Sequence, residues 1–210
     1  MKITKLGHSC VLVEAAGKIV LFDPGNWTDQ VLIDAVDRVD QVAYTHAHPD
    51  HFSEDILRRL VTKFPSLKVV CNQEIADKIE QAGLGIEVSE ESSNIKKFTS
   101  PHEKLPIPNV TAPAENGYHF AGVFSHPGDS QSFTETKKVL AMPFIGPWGK
   151  TGDSIDKVLE LIPDYVLPIH DWHYTEDAKQ WLQGLIEMAL KGSDTKLLPN
   201  KNGRVIEIDD

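Results

Sequence analysis

Long apolar runs are missing from this sequence of 210 residues. No segment approaches the roughly 18 consecutive apolar residues that a transmembrane helix needs, so the sequence predicts no membrane span. The segment MKITKLGHSCVLVEAAGKIVLF at its start does not predict a signal peptide either, because Lys5, Glu14 and Lys18 interrupt the apolar residues.

Cysteine is scarce as well. The two cysteines, Cys10 and Cys71, form no CxxC spacing, which excludes a disulfide framework and a thiolate-based metal knuckle. This usage is typical of a reducing compartment. We therefore expect a cytoplasmic protein in which both thiols are small core residues.

Basic residues are fewer than acidic ones. The sequence has 21 basic and 31 acidic residues, a formal net charge of -10, which disfavours a general attraction to nucleic acid or to anionic membranes. We expect a small-molecule substrate, no nucleic-acid partner and no membrane partner, and we leave a homo-oligomer open.

The residues that are present predict a folded α/β protein, with one domain over residues 1–210. Amphipathic stripes predict helices that begin after Ser53 and Asn72 and end at Pro65 and Gly83. Strands are predicted over residues 3–6, 10–14, 19–22, 41–45, 67–71, 139–142 and 165–169 and in the VIEI segment. A further strand-like pattern covers residues 85–124, including LPIPNVTAP. Two more helices are predicted near 154–162 and 176–191. Two sheets with helices on both outer sides would satisfy this order, although periodicity alone does not fix the number of layers.

The segment THAHPDH, residues 45–51, carries the strongest chemical signal. Its donors His46, His48, Asp50 and His51 follow a predicted strand, and imidazole and carboxylate groups suit zinc and similar divalent ions. The alternative is a polar loop at a helix entry, in which Asp50 helps to cap the helix and the histidines are exposed.

This segment resembles the H-x-H-x-D-H signature of the metallo-β-lactamase superfamily. The resemblance implies a four-layer αββα sandwich in which His46 and His48 bind one metal ion, while Asp50 and His51 bind a second. Three further matches follow along the chain: His102 in TSPHE as the third ligand of the first ion, Asp129 in SHPGDS as the bridging carboxylate, and His170 in VLPIHDW as the last ligand of the second ion. His119 and His126 remain alternatives to His102.

The segments LGHSC, FDP, HPGDS, MPFIGPW and LPIHDW are similar to the ascorbate-6-phosphate lactonase-like group of that superfamily. The resemblance implies a lactone or a phosphorylated metabolite as substrate. Asp129 stands where the common zinc β-lactamases have a cysteine, and His48 stands where the flavodiiron branch has a glutamate. The first difference separates the sequence from those β-lactamases and from thiolate-based sites, and the second argues against the oxygen-reducing flavodiiron branch.

Five other residues stand near these motifs. The resemblance implies that His8, Asp23, Trp148 and His173 support the ligands or face the substrate, and that His126 is a candidate catalytic residue together with the ligand Asp50. The alternatives are satisfied core or loop histidines for His8 and His126, a turn former for Asp23, a packed surface loop for Trp148, and a solvent-facing side chain for His173.

The expected function is binuclear, metal-dependent hydrolysis. Two divalent ions, zinc first and manganese or iron as alternatives, would lower the pKa of a bridging water so that hydroxide attacks the substrate. Two other functions stay open: a phosphodiesterase or nuclease of the same superfamily, and a noncatalytic metal-binding sensor.

Overall fold

The computed structural model describes residues 1–209 and contains two β-sheets flanked by helices. The strands are β1 Lys2–Lys5, β2 Val11–Ala15, β3 Lys18–Phe22, β4 Gln41–Ala43, β5 Lys68–Val70, β6 Glu87–Ser89, β7 Ile95–Phe98, β8 Gly117–Phe120, β9 Phe124–His126, β10 Val139–Pro143, β11 Tyr165–Ile169, β12 Lys196–Leu197 and β13 Val205–Glu207. The helices are α1 Gln30–Asp34, α2 Glu54–Lys63, α3 Gln73–Gln81, α4 Thr151–Leu161 and α5 Glu176–Ala189.

The first sheet has seven strands in the order β13-β1-β2-β3-β4-β5-β6, and the second has six in the order β12-β11-β10-β9-β8-β7. In the first sheet β3, β4, β5 and β6 are parallel. In the second sheet β9, β10, β11 and β12 are parallel. Each sheet therefore has a set of carboxyl-terminal strand ends at one edge, where loops that carry polar side chains can meet.

The buried apolar residues form three separate cores, because strand side chains alternate between the two faces of each sheet. Phe22 points into the core between the sheets, where it meets Phe120 and Phe124, whereas its neighbour Leu21 packs on the opposite face with the helical residue Leu57. Successive strand side chains point to opposite faces, so each inner strand contributes to two cores, and each fully buried large apolar side chain contributes about 1.5–3 kcal/mol.

A third core lies on the outer face of the second sheet, where Leu140 and Met142 pack with Val158 of α4 and Ile186 of α5. The layers are therefore helices α1 to α3, the first sheet, the second sheet, and helices α4 and α5. This arrangement confirms the predicted αββα sandwich.

Local chemistry accounts for the helix beginnings. The Ser53 and Asn72 side chains accept hydrogen bonds from the backbone N–H groups of Ile56 and Ile75, as predicted. Gly83 has a φ of 66° after α3, the left-handed conformation that favours glycine at a helix end.

Several sequence predictions were incomplete or wrong. The segment LPIPNVTAP is a loop rather than a strand, because its prolines lack the N–H groups that a ladder requires. The strand predicted over 41–45 ends at Ala43, and helix α4 begins at Thr151, before the predicted start. The short elements α1 and β12 were not predicted.

Among residues 1–209, no helix combines the length and the apolar character that crossing a bilayer would need.

Candidate metal centre

The predicted ligands lie in loops at one edge of the two sheets. The β4–α2 loop holds His46, His48, Asp50 and His51; His102 follows β7, Asp129 follows β9 and His170 follows β11. Strand β8 runs antiparallel to β7 and β9, so β7 and β9 both end at this edge. Folding thus gathers donors that are up to 124 positions apart, from 46 to 170.

A first donor group consists of His46, His48, His102 and Asp129, whose ligand atoms all lie within 4.8 Å of one another. His48 Nδ1 lies 3.1 Å from His46 Nε2 and 3.2 Å from His102 Nε2. Asp129 Oδ2 lies 3.7 Å from His46 Nε2 and 3.6 Å from His102 Nε2. Four donors around a tetrahedral zinc ion stand about 3.3–3.4 Å apart, so this group fits such an ion.

A second donor group contains His8, Asp50, His51 and His170. His170 Nε2 lies 3.6 Å from Asp50 Oδ2 and 3.3 Å from Asp129 Oδ2. His51 Nε2 lies 3.0 Å from Asp129 Oδ1. One carboxylate, that of Asp129, therefore contacts both groups.

Unpaired buried atoms also point to a cation. His51 Nε2, Asp129 Oδ1 and His170 Nε2 are buried without a partner in hydrogen-bond geometry. Leaving a buried polar atom unpaired costs about 1–3 kcal/mol. These atoms face one another at the junction of the two groups, and a divalent ion is the partner that would satisfy both carboxylate oxygens and imidazole nitrogens.

Electrostatics at this junction favours positive charge. Burial lowers the pKa of His170, but the carboxylates of Asp129 and Asp50 outweigh it and raise the pKa to about 9. Burial likewise opposes protonation of His51, yet Asp129 and Asp23 raise its pKa well above the usual value. Bound dications would take over this charge and release the protons.

Asp23 supports one histidine of each donor group, His51 directly and His46 through Thr45. Its Oδ2 accepts hydrogen bonds from Thr45 Oγ1 at 2.6 Å and from His51 Nδ1 at 2.7 Å. The Thr45 hydroxyl donates its one proton to Asp23. Its oxygen therefore accepts a hydrogen bond from His46 Nδ1 at 3.0 Å. Both His46 and His51 are thereby held with Nε2 toward the donor groups.

Asp23 sits on a strained turn that brings two loops together. It has a φ of 44°, which costs free energy for a residue with a side chain and clusters at functional sites. Two residues later a Cβ on Gly25 would stand 2.0 Å from the Asp50 carbonyl oxygen. Glycine at 25 therefore permits the close approach of the Asp23 and Asp50 loops.

His8 supports Asp50. The Trp172 backbone N–H donates to His8 Nδ1 at 3.2 Å, so the neutral ring carries its proton on Nε2, which donates to Asp50 Oδ2 at 3.2 Å. Burial lowers the pKa of His8 to about 3 and keeps the ring neutral. We interpret His8 as an orienting donor for Asp50 rather than as a further ligand.

Glu115 was missed by the sequence reasoning. Its buried Oε2 lies 2.8 Å from His46 Nδ1 and accepts the Asp129 N–H at 2.9 Å. A Cβ on Gly128, which has a φ of 71°, would stand 2.6 Å from this oxygen. No spacing rule identifies Glu115, because it reaches the site only through the pairing of β8.

Lys5 was missed although the sequence carried a signal. Its side chain is 1% exposed, and Nζ lies 2.7 Å from Asp171 Oδ1 and 2.7 Å from Asn200 Oδ1. Strand alternation puts Lys5 on the same side as Ile3, so a lysine on an apolar face was visible in KITK. The ion pair between Lys5 and Asp171 holds the loop that follows His170.

His126 and His119 lie outside both donor groups. His126 Nε2 donates to the Ser9 carbonyl at 3.0 Å, and its Nδ1 accepts the Gly128 N–H at 3.2 Å. This arrangement favours the alternative of a satisfied core histidine over a catalytic role. His119 contacts Ser125 Oγ at 2.9 Å and Glu135 Oε2 at 3.1 Å, so neither residue replaces His102.

The other two expected residues lie beside the donors. The Trp148 ring centroid is 5.9 Å from that of His102 and 5.1 Å from that of His170. His173 is exposed and lies 6.1 Å from His170 by the same measure. Both residues can therefore form walls of a substrate pocket.

Comparison with known proteins identifies the family. A family model described as beta-lactamase superfamily domain matches residues 2–170. Protein Rv0786c of Mycobacterium tuberculosis is 27% identical over 96% of this chain and 98% of its own length. A UPF0173 metal-dependent hydrolase of Nanoarchaeum equitans is 28% identical over 81% of this chain and 83% of its own length.

Solved structures agree on the fold. Igni18, a metallo hydrolase of Ignicoccus hospitalis, has a TM-score of 0.68 at 18% identity and covers 99% of both chains. An isothiocyanate hydrolase from Delia radicum gut bacteria has a TM-score of 0.71 at 16% identity, also over 99% of both chains. The relatives' names agree with the predicted metal-dependent hydrolase, and the family model spans most of the sequence. The chain belongs to the beta-lactamase superfamily, as the ligand motif predicted.

Proposed function

We propose that this protein is a binuclear metal-dependent hydrolase of a small molecule. The observation that carries the proposal is the shared carboxylate: Asp129 directs one oxygen toward His51 and the other toward His46, His102 and His170. A carboxylate between two sets of histidines suits a pair of divalent ions, and zinc, with manganese or iron as alternatives, matches these donors.

The ligand roles follow from the donor groups. His46, His48 and His102 would hold one ion, while Asp50, His51 and His170 would hold the other, with Asp129 between them. When bound, the ions would supply Lewis acidity and lower the pKa of a water toward about 7. The protein's part is to fix these donors and to keep the substrate carbonyl or phosphoryl group beside them.

The supporting residues would act through orientation. Asp23 holds His51 and, through Thr45, His46, each with Nε2 facing the centre. His8 donates to Asp50 Oδ2, the oxygen that also lies 3.6 Å from His170 Nε2, and so holds the carboxylate toward the second donor group. We assign Asp50 to ligation, and Trp148 and His173 to the substrate side.

Elemental analysis with a substrate panel tests the proposal. Protein expressed with added zinc or manganese should carry two metal ions per chain and hydrolyse at least one of a set of lactones, thioesters, phosphoesters and RNA. Asp129→Asn should lose metal and turnover together, whereas Asp29→Asn, in the cap of α1, should keep both.

Three other outcomes would contradict the ligand assignment or favour another function. Full metal content with full turnover in the Asp129→Asn protein would overturn the ligand assignment. Two bound ions without turnover of any substrate would favour the noncatalytic sensor. Turnover confined to RNA, with strong salt dependence, would favour the nuclease.

A further inference from the structure

Three of the four tryptophans lie around the donor groups. Trp148 stands beside His102 and His170. Trp27 lies 4.8 Å from His8 between ring centroids, and Trp172 stacks on Trp27 at 4.8 Å with 12° between the ring planes. We call Trp27, Trp148 and Trp172 the aromatic rim.

The rim is continuous with the second donor group. His8 lies 4.0 Å from His170 between centroids, so contacting rings run from Trp148 through His170 and His8 to Trp27 and Trp172. A ligand group held by this rim would lie beside the donors that we assign to the metal ions.

Local packing holds two of the rim residues in place. The Trp148 ring lies against Gly146, where a Cβ would stand 2.6 Å from Cε2, so glycine at 146 lets the indole lie on the backbone. The Trp172 backbone is tied to His8 by its N–H. Even so, the Trp172 side chain stays exposed, with a relative accessibility of 56%.

An exposed, stacked tryptophan next to polar donors offers a flat apolar face to a ligand. Aromatic rings prefer offset-stacked or edge-to-face partners, and an apolar surface rimmed by polar groups marks a ligand-binding groove. Trp181 is also exposed, at 68%, but it lies on α5 and belongs to none of the ring contacts described above.

Several cations that could bind a phosphate group are held by carboxylates of the protein. Of the four arginines in the sequence, three are paired with carboxylates on the first sheet's side: Arg38 with Asp40, Arg58 with Glu54 and Arg59 with Asp34. Phosphate recognition generally relies on arginine or lysine.

Two lysines near Asp171 and His173 are likewise paired with carboxylates. Lys5 is buried against Asp171, and Lys179, whose charge acts on His173, pairs with Glu176 at 3.0 Å. Each of these five cations is therefore paired with a carboxylate of the protein.

We propose that the aromatic rim binds a planar apolar group, such as a phenyl ring, on the acyl side of a carbonyl substrate. This inference rests on the proposed function, because the carbonyl carbon would lie at the donor groups while the ring lies on the aromatic rim. It favours aryl-substituted lactones, esters and related acyl compounds over the same compounds without a ring.

Equilibrium binding of two product-like carboxylates tests the rim without turnover. Phenylacetate and acetate would be titrated into zinc-loaded protein while tryptophan fluorescence is followed, after metal content has been measured. Phenylacetate should bind at least about tenfold more tightly than acetate, since the ring adds stacking and apolar burial. Cyclohexylacetate, which lacks a flat face, should fall between them.

Substitutions of two exposed tryptophans test whether the preference for phenylacetate depends on the aromatic rim. Trp172→Ala should reduce the preference for phenylacetate about threefold or more, while Trp181→Ala should leave it unchanged, and both proteins should keep their metal. Trp172→Phe should restore most of the preference.

Two results would overturn the inference: equal affinities for phenylacetate and acetate in metal-loaded protein, or equal effects of the substitutions at 172 and 181. A protein that binds no metal would instead contradict the proposed function, and the metal measurement distinguishes that failure from the failure of the rim.

Discussion

Asp23 Oδ2 accepts a hydrogen bond from His51 Nδ1 at 2.7 Å, and the same oxygen accepts one from the Thr45 hydroxyl. Through Thr45 this carboxylate also orients His46. One buried side chain therefore sets the ring orientation of a histidine in each of the two donor groups.

Replacing this acceptor should weaken metal binding. In Asp23→Asn an amide NH2 in the place of Oδ2 would face two donors, and loss of such a partner costs roughly 10–100-fold in metal affinity. Competition with a chromophoric chelator measures the affinity. Asp29→Asn, a substitution in the same β3–α1 connection, is the matched control, and equal affinities for the two variants would contradict the prediction.

The two donor groups should be separable by stoichiometry. His102→Ala removes a donor of the first group only, so we expect elemental analysis to find about one ion per chain instead of two. Asp129→Asn should weaken both ions, because its oxygens face both groups. If His102→Ala retained two tightly held ions, the assignment of His102 would be wrong.

Glu115 should matter for the first group although no motif contains it. Glu115→Ala leaves His46 Nδ1 and the Asp129 N–H without this oxygen, so we expect metal affinity to fall about tenfold. Glu74→Ala removes a carboxylate that accepts the neighbouring Ala114 N–H and should leave metal binding unchanged. Circular dichroism would establish that both variants fold.

Metal removal should lower thermal stability. Ligands that bind only the folded state stabilise it by about 2.7 kcal/mol at 100 times Kd, which corresponds to roughly 5–10 °C in Tm for a chain of this size. Differential scanning calorimetry before and after chelation, followed by metal addition, measures the shift. An unchanged Tm after complete metal removal would contradict the prediction.

The buried thiol of Cys71 should make stability fall at alkaline pH. Burial raises the pKa of Cys71 from 9.0 to about 12, so above pH 9 the unfolded chain loses a proton that the folded chain keeps. At pH 10 this difference destabilises the folded state by about 1.4 kcal/mol. Urea unfolding at pH 8 and 10 should show a smaller loss for Cys71→Ala than for the unchanged protein; equal losses would contradict the assignment.

The predictability of the ligands depended on how close they lie in the chain. The donors of THAHPDH occupy one loop, so local spacing alone suggested a metal site. The choice among His102, His119 and His126 stayed open, because it depends on which strands pair and which way they run. His119 lies within β8, opposite Lys96 of β7, whereas His102 lies beyond the end of β7.

Strand and helix patterning predicted most of the element order and the helix caps, because alternation and capping are properties of neighbouring residues. The four-layer class came from the resemblance of the ligand motifs. Elements with little patterning, such as α1 and β12, escaped prediction. The segment LPIPNVTAP was misassigned because apolar content was weighed above its prolines.

The sequence by itself determined that four donors meet near the start of α2, that the net charge is negative and that no thiolate site exists. Only the tertiary structure decided that Asp129 lies between two groups, that Glu115 reaches His46, and that Trp27 stacks on Trp172. These pairs are distant in the chain, and their contact follows from strand pairing and the packing of the two sheets, which no local spacing encodes.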